Sequence, residues 1–302
     1  MGRRQLVVSD QTRSTVYASV YFQGVVPYSL VLQGQFNLIL SHIMHSDSKR
    51  PIVIAGPCLV ESRDVIMQVA ETLATVVRDM PVDLVLKGSY RKANRTSAGS
   101  FQGIGDQAAL ELLHQAGKMI GVPTLTDIHA DHEAAFAAQY VDVLQIPAFL
   151  SRQTSLLEAA AATGRIVNIK KAQFMAPDDM AKAAEKATQA GATNVWLTER
   201  GTSFGYHDLV VDYRSLVIMK QTGLPVIFDA THSVQQPSIG SQSGGRREFI
   251  PALARAAAAV GIDGLFFETH PDPANAKSDA ATQLPLAEVQ SFLSQVLSYW
   301  HG

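Results

Sequence analysis

The chain has 302 residues, 47% of them hydrophobic and 17% charged, with a formal net charge of -2 and one cysteine. That balance excludes an intrinsically disordered chain, and it excludes binding of polyanions by bulk charge, so neither nucleic acid nor an anionic membrane is an expected partner. Cys58 alone cannot close an intramolecular disulfide, which excludes a secreted disulfide scaffold and points to a reducing compartment, the cytoplasm.

Residues 1–48 differ from the rest, with Arg3, Arg4 and Arg13 set against a single acid, Asp10, before Asp47. Their apolar patches, at 25–32 and 36–40, are interrupted by Pro27, Gln33 and Gln35 and fall short of the roughly 20 apolar residues of a membrane span. Arginine-rich, acid-poor composition fits a transit peptide, a start codon placed upstream of Met44, or an extension packed on the main domain or on a neighbouring subunit. No function is assigned to this segment, and the domain that carries function is placed at 49–302.

From Pro51 onward, short β-branched runs stand at 52–55, 84–87, 123–126, 143–146, 166–169, 195–198, 226–229 and 265–268. Stretches of helical period lie between them at 64–77, 106–120, 155–162, 178–190, 213–221 and 250–260, with another at 286–300. Eight parallel strands with intervening helices predict an α/β protein, a single (β/α)8 TIM barrel of about 250 residues. The alternative is an open, doubly wound sheet, but no Gly-x-Gly-x-x-Gly follows the first strand to supply its nucleotide fingerprint.

Active sites of such barrels gather at the carboxyl ends of the strands. In chain order those positions read Cys58, Lys87 with Ser89 and Lys92, Asp127 with His129, Gln145, Lys170 with Lys171, Glu199 with Arg200, Asp229 with His232, and Glu268 with His270. Lys87, Lys92, Arg95, Lys170 and Arg200 would converge on one cavity, and clustered cations are costly unless anions compensate them, so the expected ligand is a phosphate or carboxylate. A Schiff base on one lysine is the alternative, disfavoured by the pair Lys170-Lys171 and the nearby arginine. Cys58, His232, Glu268 and Asp279 have the donor types of a divalent transition-metal site, although they are dispersed along the chain. The plainer reading makes Cys58 a small buried residue after Pro57 and His232 a helix cap. The serine- and glycine-rich stretch 240–245 reads as a loop closing over the site, 99–105 as support for the second strand's loop, and His114 and His132 as surface residues of helical stretches.

Several motifs occur in fixed order. They are Ala55-Gly56-Pro57-Cys58 with Glu61-Ser62, Lys92-Ala93-Asn94-Arg95-Thr96-Ser97, Gln145-Ile146-Pro147-Ala148-Phe149-Leu150, and Arg152-Gln153-Thr154. Further on come Asn168-Ile169-Lys170-Lys171, Arg200-Gly201, Phe228-Asp229-Ala230-Thr231-His232, Gly244-Gly245-Arg246-Arg247 and His270-Pro271-Asp272-Pro273. With them the chain, from about Pro51 onward, resembles the 3-deoxy-D-manno-octulosonate 8-phosphate synthases. These enzymes condense phosphoenolpyruvate with D-arabinose 5-phosphate and water, releasing inorganic phosphate, in lipopolysaccharide biosynthesis. The related 3-deoxy-D-arabino-heptulosonate 7-phosphate synthases, which use erythrose 4-phosphate, carry Lys-Pro-Arg where this chain has Lys92-Ala93-Asn94-Arg95. They remain the alternative.

The resemblance implies roles. Lys87, Lys92, Lys170 and Arg200, with Gln145 nearby, hold the phosphate and carboxylate of phosphoenolpyruvate, and Asn94, Arg95 and Thr96 hold the pentose phosphate. Ser89, Asp127, Phe149 and Gln173 line the substrate site, and Arg152 reaches the pentose phosphate across a subunit interface in a homotetramer. Lys92, Lys170, His232 and Asp279 take part in the chemistry. Cys58, His232, Glu268 and Asp279 bind a divalent metal (zinc, iron, manganese or cobalt), as in family members with cysteine after the first strand, and the metal either orients the aldehyde or activates water. Three departures stand out: Ser89-Tyr90-Arg91 replaces Ser-Phe-Asp, Ala130 replaces a glutamate after Asp127-Ile128-His129, and Ala172 replaces a proline after Lys171.

Overall fold

Strands buried on both faces need near-continuous apolar runs rather than alternation, and the eight β-branched runs have that character. In the computed structural model, which describes residues 28–44, 50–92, 101–205, 208–236 and 244–300, they form strands Ile52–Gly56, Asp83–Lys87, Thr124–Asp127, Val143–Ile146, Ile166–Lys170, Val195–Glu199, Val226–Asp229 and Gly264–His270. Every residue of these strands is buried. Each strand pairs in parallel with the next, and the eighth pairs back with the first, Val53 opposite Leu265 and Gly56 opposite Glu268. This closure makes the sheet a (β/α)8 barrel and excludes the open sheet. A Cβ on Gly56 would lie 1.8 Å from the Lys87 carbonyl oxygen. Only glycine therefore lets the first two strands approach closely enough to bring Cys58 and Lys87 together.

The helices follow the apolar periods. Arg63–Val77 starts where the Ser62 side chain accepts from the Val65 amide at 3.2 Å, and it buries Ile66, Val69, Ala70 and Leu73 against the strands. Asp106–Ile120 ends at Gly121, whose φ of 68° is the left-handed conformation that glycine adopts without strain. Two differences from the sequence reading appear within the barrel. No helix was expected between the third and fourth strands, where a turn at Asp131–Glu133 leads into a single helical turn, Ala134–Ala137, too short to show a period. The stretch expected at 286–300 divides into a tighter turn, Leu286–Glu288, and a helix, Val289–Leu297.

Before the barrel, part of the N-terminal segment packs on the main domain, one of the readings its composition allowed. Tyr28–Met44 is a helix whose Ile39 and Ile43 are buried in the main core. His42 Nδ1 lies 3.4 Å from Asp83 Oδ2, and Arg50 Nε donates to Asp83 Oδ1 at 2.9 Å. Asp83 opens the second strand, so this helix packs at the amino-terminal end of the barrel, opposite the face where a site is expected. Among the described residues no helix is long and apolar enough to cross a membrane.

Candidate active site

Four buried charges rise from four strands at the carboxyl face. Lys87 Nζ, from the second strand, donates to Glu268 Oε1 of the eighth at 2.5 Å and to the Cys58 carbonyl at 3.1 Å. Lys170 Nζ, from the fifth strand, donates to Asp229 Oδ2 of the seventh at 2.5 Å and stands 3.8 Å from the ring centroid of Phe266. Burial pushes the Lys170 pKa down, with Asp229 opposing the shift. Burial would raise the pKa of Asp229, yet the charges of His232 and Lys170 and the His232 hydrogen bonds hold it below the usual carboxylate range. Paired buried charges contribute little stability against well-packed apolar residues; their retention here fits a site rather than a core.

Arg200 follows the sixth strand. Its Nη2 donates to Gln235 Oε1 at 2.8 Å, and Gln235 Nε2 in turn lies 3.4 Å from Asp279 Oδ2. Among the described residues, Arg200 Nη1, Gln173 Oε1, Asp127 Oδ1 and Glu268 Oε2 are buried polar atoms without a hydrogen-bond partner. Buried polar groups are nearly always satisfied, and these four belong to residues that the sequence reading assigned to substrate or metal.

The metal-type donors meet. The ligand atoms of Cys58, Glu268 and Asp279 all lie within 4.8 Å of one another, and His232 Nε2 stands 3.8 Å from both Glu268 Oε1 and Asp279 Oδ2. Asp229 Oδ2, 2.9 Å from His232 Nδ1, fixes the ring so that Nε2 is left for this cluster. Asp279 is the one described non-glycine residue with positive φ, 45°, a strained setting of the kind that persists where function requires it. Without a cation, burial first and then Asp279 and Glu268 push the Cys58 thiol pKa well up. A divalent ion would reverse that balance and hold the thiolate. One thiolate, one imidazole and two carboxylates, with Glu268 Oε2 still unsatisfied, fit a divalent transition metal. The loop bearing Asp279 is anchored by the Lys277 amide donating to Glu61 Oε2 at 2.8 Å and by the Cys58 amide donating to Gln283 Oε1 at 3.0 Å.

The remaining expected residues divide into those at the cluster and those away from it. Lys92 Nζ lies 3.4 Å from Asp279 Oδ2; burial pulls its pKa down, but its proximity to Cys58 and to the carboxylates of Asp279, Glu268 and Asp127 outweighs this and raises it. Ser89 is buried, its amide donating to the Cys58 carbonyl at 3.3 Å and its carbonyl accepting from Val60. Gln145 Oε1 accepts from Asn168 Nδ2 at 3.1 Å, and Asn168 Oδ1 accepts from Thr198, a chain of side chains linking strands four to six. Phe149, 60% exposed, and Arg152 sit on the surface rather than in the buried cluster. Asn94, Arg95, Thr96 and residues 240–243 lie outside the described residues; Gly244–Gly245 pairs antiparallel with Gln235–Gln236.

Lys171 requires a correction. In the sequence its pairing with Lys170 favours ion binding over a Schiff base, yet Lys171, just past the end of the fifth strand, points away from the cluster, 3.5 Å from Glu199 Oε1 and 3.0 Å from Thr202 Oγ1, as successive residues of an extended chain face opposite sides. Its partner Glu199 accepts from the Gly201 amide and Ser215. His132 is exposed, as expected, whereas His114 is half-buried with Nδ1 2.9 Å from the Tyr140 carbonyl oxygen. Sequence reasoning gave Asp229 no role and passed over Gln235, Gln283 and Glu133. Of these, only the Asp229-to-His232 spacing carried a signal.

A protein-family model described as the DAHP synthetase I family matches residues 27–299. Among curated proteins the chain is similar to the 2-dehydro-3-deoxyphosphooctonate aldolase of Rhodopseudomonas palustris, 54% identical over 249 residues that cover 82% of this chain and 87% of the relative. It is similar to proteins of the same name from a Synechococcus species, 53% identical over 81% of this chain and 87% of the relative, and from a Cyanothece species, 52% identical over 82% and 90%.

Proposed function

The chain belongs to the DAHP synthetase I family, and we propose that within it the protein condenses phosphoenolpyruvate with D-arabinose 5-phosphate and water to give 3-deoxy-D-manno-octulosonate 8-phosphate and inorganic phosphate. The observation that carries this reading is the meeting of Lys87, Lys92, Lys170 and Arg200 with the Cys58, His232, Glu268 and Asp279 donors on one barrel face. The names of the relatives favour the pentose phosphate over the tetrose phosphate of the heptulosonate branch, as does Lys92-Ala93-Asn94-Arg95.

In this mechanism Lys87, Lys92, Lys170 and Arg200, with Gln145, hold the phosphate and carboxylate of phosphoenolpyruvate. Ser89, Asp127, Phe149 and Gln173 shape the space for the pentose chain, and its phosphate is met by Asn94, Arg95 and Thr96 together with Arg152 of a second copy in a homotetramer. Bringing two anions together against their repulsion is a proximity effect of several kcal/mol, about 7 at the least in well-oriented cases. C3 of phosphoenolpyruvate forms a bond to the aldehyde carbon, and the aldehyde oxygen takes a proton from Lys92, an ammonium beside Asp279. Water adds at C2 and gives a proton back to the Lys92 amine, and the C2–O bond to phosphate breaks as the new C2 hydroxyl passes its proton to the departing phosphate, leaving the ketone and releasing phosphate toward the cations. A divalent metal (zinc, iron, manganese or cobalt) held by Cys58, His232, Glu268 and Asp279 supplies Lewis acidity. Asp229 serves twice, holding Lys170 as the ammonium and His232 in the tautomer that leaves Nε2 to the donor cluster.

Phosphate release from phosphoenolpyruvate, with arabinose 5-phosphate or erythrose 4-phosphate as acceptor, tests the reading. Turnover with the pentose phosphate supports it, and turnover with the tetrose phosphate alone places the chain in the heptulosonate branch.

A further inference from the structure

A second polar network lies beside the ion cluster, at the carboxyl ends of the second and third strands. At its centre is Glu133, 11% exposed, in the turn that follows the third strand. Glu133 Oε2 accepts from Tyr90 Oη at 2.5 Å and from the His129 amide at 2.7 Å, and Oε1 accepts from the Arg91 guanidinium. His129 Nδ1 stands 3.5 Å from Glu133 Oε2, while His129 Nε2 stands 2.9 Å from Asp127 Oδ2. Arg91 also reaches Asp106, the first residue of the following helix, at 3.6 Å. The Lys92 amide, next in the chain, donates to the Gln102 carbonyl at 3.1 Å and closes the stem of the second strand's loop.

One carboxylate thus ties the stem that presents Lys92 to the loop that presents Asp127. The consequence for Asp127 is specific: His129 occupies Oδ2, and among the described residues Oδ1 stays buried and unpartnered, a strong acceptor with no donor there. An acceptor so prepared suits a hydroxyl of a polyol chain, not a phosphate, which would be repelled. Lys92 is set by the same bracket through its neighbour Arg91.

We propose that Glu133 is a positioning residue of the active site, clamping Tyr90, Arg91 and His129 so that Asp127 Oδ1 and Lys92 are held in register for the aldose phosphate. The inference rests on the reaction proposed above. The loss expected on removing Glu133 falls chiefly on the aldose, because Lys87, Lys170 and Arg200, three of the four cations read for phosphoenolpyruvate, have their partners outside the bracket.

Steady-state kinetics of the full chain with both substrates tests this, together with thermal unfolding of each variant. Glu133→Gln keeps the shape but removes the charge, and is expected to raise the KM for arabinose 5-phosphate about tenfold, the scale of one lost charge-assisted bond, while KM for phosphoenolpyruvate stays within about twofold. Tyr90→Phe should shift the same constant in the same direction by about threefold. Arg91→Met combined with Glu133→Gln should be no worse than Glu133→Gln alone, since both break one bracket. A KM for the pentose phosphate unchanged in Tyr90→Phe and Glu133→Gln overturns the proposal, as do equal losses for both substrates that follow the unfolding temperature. If Glu133→Gln does not fold, Tyr90→Phe decides by itself. A wild-type chain inactive with arabinose 5-phosphate overturns the proposed reaction, whereas an active wild type with unaltered variants overturns only the role of Glu133.

Discussion

Cys58 Sγ and Asp279 Oδ2 lie 3.2 Å apart although 221 residues separate them in the chain. Barrel closure makes the meeting possible: Gly56, two residues before Cys58, pairs with Glu268 across the seam, and the loop after the eighth strand returns to the same edge. A thiol and two carboxylates buried together have reason to coexist when a cation binds them. Cys58→Ala should therefore fold and retain little metal after dialysis, with affinity reduced by more than the about 10–100-fold typical of losing an outer-shell partner. Elemental analysis of the dialysed proteins measures this, and wild-type metal content in the variant would contradict it.

Asp229→Asn should damage two functions at once. The carboxylate is fully buried and accepts from Lys170 and His232, so the variant leaves a buried ammonium without its counter-charge, at a cost of about 3 kcal/mol or more. Urea unfolding should show that loss, and metal titration should show weakened binding as the His232 ring is released. A variant equal to wild type in both would remove Asp229 from the account.

The pH dependence of stability has a predictable sign. Burial alone would lower the pKa of His129, but Asp127, 2.9 Å from Nε2, and the nearby Glu133 carboxylate raise it to about 9 from an ordinary 6.5. A raised histidine contributes its full stabilisation below pH 6.5 and loses it as the pH rises through about 9. The loss is at most about 3 kcal/mol. His129→Gln should flatten the unfolding free energy between those values. Glu133 works in the opposite direction: its own hydrogen bonds outweigh burial and hold its pKa near 2 against an ordinary 4.5, so its contribution is present above 4.5 and disappears as the pH falls through about 2.

The helix Tyr28–Met44 belongs to the folded core. Ile43 is 3% exposed among barrel side chains, and Ile43→Ala should cost about 2–5 kcal/mol in chemical unfolding. Because this contact lies at the amino-terminal end of the barrel, kcat should be unchanged. Wild-type stability in the variant would show the helix to be dispensable.

How far the sequence reveals such a protein depends on the range of the interaction. Val143–Ile146 and Val226–Asp229 are legible to the residue, because a strand covered on both faces must be apolar throughout. The strand-end rule then placed Lys87, Lys170, Asp229 and Glu268 on one face. Which cation meets which anion is set by the order of strands around the barrel, so Lys87 with Glu268 and Lys170 with Asp229 emerge only in three dimensions. Lys171 shows the limit at a single strand end, where the same residue type follows Lys170 but faces the other way. The single helical turn Ala134–Ala137 offers no period, and in Tyr28–Met44 Gln33 and Gln35 blur one. Glu133 is ordinary as a letter and becomes specific only once Tyr90, Arg91 and His129 surround it.

In the mechanism proposed, the cations and the metal-type donors form one working centre. Its most direct test is phosphate release from phosphoenolpyruvate and arabinose 5-phosphate before chelation, after exhaustive chelation, and after adding back each of zinc, iron, manganese and cobalt. The account predicts turnover that is lost on chelation and restored by at least one of these ions in the wild type but not in Cys58→Ala. Full turnover in protein shown by elemental analysis to be free of metal would contradict it.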